Sequence, residues 1–162
     1  MLKKTAWAVL GLFLLAQLVQ PDVKNPAVDP AADLEQVFNP PGEVMTGLKT
    51  ACYDCHSNQT RYPWYSRLSP VSWWISQHVK EGREHLNFSE IGRLSPADCA
   101  EALGEAAETI QEGEMPLSSY TWLVMHPEAN LTDNQRNTLV AWLTANSGGI
   151  KEGKNEKEYN ED

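Results

Sequence analysis

Ligating side chains are few in this chain, with three cysteines, four histidines and four methionines, and alternating strand-like patterns are missing altogether. Without runs of period two, a sheet-based architecture is excluded and only helical periodicities remain. Basic residues are also scarce, 13 against 22 acidic ones, for a formal net charge of −9. That balance argues against a nucleic-acid partner, which requires a concentrated basic face. It also disfavours docking of the soluble part on anionic lipid and fits a partner protein with a basic docking face. No internal repeat is present. The apolar run after Lys3 and Lys4 has no small-residue cleavage pair behind it, and no cysteine there could carry a lipid.

What the chain does contain is Cys52-Tyr53-Asp54-Cys55-His56. Two thiols three positions apart can each add to one vinyl group of a haem, and the neighbouring imidazole is then in reach of the iron as proximal ligand. Other uses of Cys-x-x-Cys fit less well. A thiol–disulfide site opens a helix after a strand, whereas this pair follows a helix. Zinc needs two further ligands, and His78 and His85 stand seven apart instead of three to five. Haem c, one per chain and covalently attached, is the cofactor the motif implies. Cys99 lies on a helical stripe with Leu103, Ala106 and Ile110, which reads as a small core residue.

A c-type iron usually takes a second axial ligand. Met115, in Gly113-Glu114-Met115-Pro116 just past a helix end, is the leading candidate, as a soft sulfur opposite an imidazole favours Fe(II). His78, His85, His126 and Met125 compete with it, and an open sixth site stays among the alternatives. Arg61, Tyr62, Trp64 and Arg67 follow the motif closely enough to serve as donors to haem propionates. The alternative for them is aromatic packing on the haem edge with solvated arginines.

The expected organisation has four parts. Residues 1–21 form a signal-anchor or signal peptide, at the short limit for a membrane span, with an uncleaved anchor preferred. Residues 22–40, rich in proline, read as a tether with a short helix through Ala31–Val37. Residues 41–147 form the folded domain, and 148–162 a disordered charged tail. Val44, Leu48, Ala51 and Cys55 predict a helix running into the motif. Further helices are predicted over Val71–Leu86 and Pro96–Glu112, the first burying Val71, Trp74, Ile75, His78, Gly82 and His85, with a short helix or turn over Ser118–Met125. A last helix opens with a Thr132/Gln135 capping box and carries Leu139, Trp142 and Leu143. The fold class is all-α. The first and last domain helices are expected to cross, with Gly47 near Trp142, and to enclose the cofactor with the helix bearing His78 and His85.

The stretch from Cys52 to Asn58, then Thr60, Tyr62-Pro63-Trp64-Tyr65, Pro70-Val71-Ser72-Trp73-Trp74, His78-Val79 and Glu81 to Ser89 resembles the bacterial haem-binding-domain family of small cytochrome c-like proteins. Gly113-Glu114-Met115-Pro116 and His126-Pro127-Glu128-Ala129 share that resemblance, which covers roughly residues 40 to 146. It implies a cytochrome c-type helical fold, one covalent haem, export and often an N-terminal membrane anchor. It carries Cys52, Cys55 and His56 over as attachment and proximal residues, and Met115 as the distal one. Ile91 stands where the family pattern has a tryptophan. The expected role is one-electron transfer on the outer, periplasmic side of a bacterial inner membrane, by a carrier and not a substrate-converting enzyme. The alternative is a haem-based ligand sensor or peroxidase-like protein with an open distal site.

Overall fold

A computed structural model describes residues 2–121 and 126–148. Met125 and the charged tail beyond Gly148, both subjects of expectations above, lie outside them. The described residues hold eight α-helices, three short 3-10 turns and no strand, as the all-α reading requires. The helices are α1 (Leu2–Ala16), α2 (Leu34–Phe38), α3 (Gly42–Ala51), α4 (Tyr53–His56), α5 (Val71–His85), α6 (Pro96–Glu112), α7 (Ser118–Thr121) and α8 (Asp133–Asn146).

Local signals set the helix ends. Ser95 Oγ accepts from Asp98 N and starts α6, and Gly113, at φ 79°, ends it in the left-handed region that glycine enters freely. Thr132 and Gln135 form the reciprocal capping box of α8. The core lies between α3, α6 and α8, where Leu48, Leu103, Leu139 and Leu143 are fully buried. Each such leucine contributes roughly 1.5–3 kcal/mol by leaving water.

α3 and α8 do cross, but Gly47 faces Leu139, whose side-chain carbons lie 3.2–3.4 Å from where a Cβ would stand. Trp142 instead packs edge-on against Phe38 of α2 at 5.9 Å. Cys99 is half-buried at the core margin. Ile91, at the position of the missing tryptophan, is itself a buried core residue.

Two expectations need correction. Residues 22–40 do not swing free: Ala32, Asp33 and Leu34 are buried, Leu34 N donates to Phe88 O (2.9 Å), and Gly92 N donates to Ala32 O (2.9 Å). Prolines prevented a long helix there, but backbone pairing with a distant segment ordered the chain nonetheless. The expected spanning helix is also too short. α1 has 15 residues, about 22 Å of rise, and no described helix is long and apolar enough to cross a membrane.

Candidate haem site

The Cys-x-x-Cys-His motif occupies one helical turn. Cys52 breaks the path from α3 (φ −124°), and its carbonyl accepts from Cys55 N (3.1 Å) and His56 N (2.9 Å). A three-residue separation on such a turn puts both thiols on one side. Both are free thiols. Burial, reinforced by the neighbouring Cys55, pushes the Cys52 thiol up to about 12. Burial and then the Asp54 carboxylate push Cys55 up to about 11. Both are therefore protonated near neutrality.

His56 is oriented by backbone. Its Nδ1 lies 3.1 Å from Leu86 O. A carbonyl only accepts, so Nδ1 carries the proton and Nε2 keeps the lone pair that a metal would take. Burial lowers the imidazole's pKa, keeping it in the neutral, ligating form.

The motif turn packs directly on α5. A Cβ on Gly82 would fall 2.7 Å from Cys55 O and 3.2 Å from Cys55 Cβ, so only a glycine lets the two backbones approach this closely. Buried polar residues then secure the turn from behind. Ser57 Oγ donates to Tyr53 O (2.7 Å) and Thr60 Oγ1 to Asp54 O (2.7 Å). Arg83 of α5 reaches Ser57 O (2.8 Å) and Thr60 Oγ1 (2.9 Å). Asn58 is gripped by Ser89, whose Oγ accepts from Asn58 N (3.2 Å), and by Asn87, whose Nδ2 donates to Asn58 Oδ1 (2.9 Å). These residues carried the resemblance noted above; their work is to hold the attachment turn.

Arg61 and Trp64 are candidates for propionate donors or for packing at the haem edge. Arg61 forms a two-pronged pair with the buried Asp54, with Nε to Oδ1 at 3.2 Å and Nη2 to Oδ2 at 3.0 Å. The proximity of an acid between the two cysteines, which no helical wheel reveals, claims the guanidinium first. Trp64 is 77 % exposed and packs edge-on to Tyr65.

Cys55 lines a cleft whose wall includes Tyr65, Trp74, His78, Leu117 and Tyr120, with His126 completing it. Tyr120 OH donates to Asp54 Oδ2 (2.8 Å), and its ring stacks on His126 at 4.3 Å. His126 Nε2 is 3.3 Å from the Tyr65 hydroxyl and Nδ1 is 3.4 Å from Glu128 Oε1, so both ring nitrogens are engaged. His78 Nδ1 is 2.9 Å from Trp74 O. His85, Val71 and Trp74 are exposed, against the expectation that they face the core; of that face only Gly82 is fully buried, together with Ser72 and Val79.

Met115 borders the core alongside Cys52. Its backbone is fixed on both sides: Met115 N donates to Thr109 O (3.2 Å), and Arg136 of α8 donates to Met115 O (3.3 Å) and Ile110 O (2.7 Å). Arg136, Asp54, Tyr120 and the Leu86 carbonyl are site residues that pattern reading missed. Only Asp54, set between the cysteines, had a sequence signal. Tyr120→Phe should cost about 1.5–3 kcal/mol by urea denaturation, the range for one hydrogen bond to a buried carboxylate.

Two free thiols on one turn and an imidazole pre-set on Nδ1 fit a haem attached through both sulfurs. The sequence model of a family described as a haem-binding domain matches residues 11–145. No curated protein and no solved structure matches the chain.

Proposed function

The chain belongs to the haem-binding-domain family, and we propose that it is a monohaem c-type cytochrome that carries single electrons. The observation that carries this reading is the Leu86 carbonyl on His56 Nδ1, which leaves Nε2 as the ligating nitrogen beside two free thiols. The haem, when bound, supplies an iron that cycles between ferric and ferrous. Cys52 and Cys55 would hold it through thioethers, each S–H adding across one vinyl group so that a C–S and a C–H bond form and no atom is lost. His56 would give the iron a nitrogen and Met115 a sulfur, the Met115 loop being tied to α8 through Arg136. Met125 lies outside the described residues. A domain architecture like that of cytochrome c agrees with the crossing of α3 and α8 beside the motif.

The location follows from the chemistry: haem is attached covalently outside the cytoplasm. The chain is therefore read as exported to the periplasmic side, held at the bacterial inner membrane by insertion of the apolar α1. Its acidic surface suits a redox partner with a basic docking face.

The test is the absorption spectrum and intact mass of protein purified from a host able to attach haem c. The expected result is a mass increased by one whole haem and a low-spin spectrum. A mass equal to the bare polypeptide, with no Soret band, overturns the reading. In the same material, Met115→Ala should abolish the near-infrared sulfur-to-iron band and open the reduced iron to carbon monoxide. Fast carbon monoxide binding by the unaltered protein would instead favour a ligand sensor.

A further inference from the structure

α1 contains no buried residue. Trp7, Val9, Leu12, Phe13 and Leu15 are all exposed around it. A helix apolar on every side is stable only in apolar surroundings. Its far end is fastened to the domain. Gln17 Oε1 accepts from Ser69 N (3.1 Å) and Gln17 Nε2 donates to Ser69 O (3.0 Å). Gln20 Nε2 donates to Ser69 Oγ (3.0 Å), and Trp73 Nε1 donates to Val19 O (2.6 Å). The medium that receives α1 must therefore meet the turn that opens α5.

That turn is apolar and exposed. Trp64, Leu68, Val71, Trp73 and Trp74 all present surface to solvent, Trp64 most of all. Its local charge is also opposite to that of the chain as a whole. No Asp or Glu occurs between Asp54 and Glu81, while Arg61, Arg67 and Lys80 do. The net charge of −9 argues against lipid contact only on average; at this face the sign is reversed.

We propose that this face is a membrane-contact surface, with Trp64, Leu68, Val71 and Trp74 seated in the interfacial layer of the bilayer that receives α1. The inference rests on the reading of α1 as membrane-inserted and adds a fixed attitude for the domain. Indoles combine an apolar body with a polar N–H and concentrate at the water–lipid boundary. The exposed Arg67 is placed to meet lipid phosphates. The shortness of α1, about 22 Å against a hydrocarbon layer of roughly 30 Å, works in the same direction. A short inserted helix draws its flanks inward, which brings the Ser69 turn down to the lipid boundary. Trp74 also lines the cleft beside Cys55, so the mouth of that cleft is held close to the membrane.

The experiment uses the full-length haem-loaded chain, reduced, with 5-fluorotryptophan, in nanodiscs of phosphatidylethanolamine and phosphatidylglycerol. Fluorine resonances are assigned by single Trp→Phe variants, and broadening is read with a water-soluble gadolinium chelate and with a spin-labelled lipid. The expected result is loss of chelate broadening at Trp64 and Trp74 down to the level of Trp7, with lipid-label broadening gained. The doubly substituted Gln17→Ala, Gln20→Ala chain should restore chelate broadening at Trp64. Trp7 protected while Trp64 and Trp74 stay open to the chelate would overturn the contact surface and leave the anchor intact. Trp7 open, or a chain that fails to float with lipid, would remove the anchor and the contact surface together.

Discussion

Gly82→Ala should destabilise the folded chain by about 1–3 kcal/mol, the range for overpacking a tight contact, and lower the yield of haem-loaded protein. In a helix interior this substitution normally gains about 1 kcal/mol through propensity. Here the new methyl group would stand 2.7 Å from a backbone oxygen of Cys55. Backbone cannot rotate aside as a side chain does, so α5 must move off the attachment turn, disturbing the Leu86 carbonyl that orients His56. Gly47→Ala is the control. It meets only the branched end of Leu139 at 3.2–3.4 Å, which can give by a few tenths of an ångström, and its stability should stay near that of the parent. Urea midpoints and haem per polypeptide measure both effects. Equal stability of the two variants would mean that the close crossing does not position Cys55.

The second large effect concerns the ligands themselves. The double variant Cys52→Ser, Cys55→Ser should carry no covalent haem, leaving its denatured mass that of the polypeptide. Each single variant should keep one thioether at reduced yield. His56→Ala should retain haem on the sulfurs and lose the low-spin spectrum, and added imidazole should restore it. Retention of that spectrum without His56 would show that another nitrogen holds the iron. Because burial lowers the pKa of His56, its neutral form persists below the ordinary histidine value of about 6.5. Acid titration of the low-spin bands should accordingly show ligand loss below that pH, and loss above it would contradict the buried setting.

Much of the site was legible because its chemistry is local. Cys52, Cys55 and His56 are neighbours, and their spacing alone dictates thiols on one turn with an imidazole beside them. Helix limits were equally local: Ser95, Gly113 and the Thr132/Gln135 pair act within a turn of their own positions. The apolar stripes of α3, α6 and α8 follow from 3.6-residue periodicity. The wheel for α5 did worse. It placed Val71, Trp74 and His85 inward, and the structure leaves all three exposed, while Arg83 reaches back to the Ser57 carbonyl. A wheel ranks faces by hydrophobicity, whereas this helix packs on backbone carbonyls, which favour a glycine and an arginine.

From the sequence by itself came the all-helical class, the helix ends and the Cys-x-x-Cys-His pentapeptide, since each depends on residues within a few positions of one another. Only the tertiary structure decided that Arg61 belongs to Asp54, that residues 22–40 dock instead of swinging, that Leu86 orients His56, and that α1 is fastened to the tryptophan-rich turn. Those contacts join segments tens of residues apart, often through main-chain groups that every residue possesses. Backbone donors and acceptors are the same whatever the side chain, so no pattern of side chains announces which of them will meet.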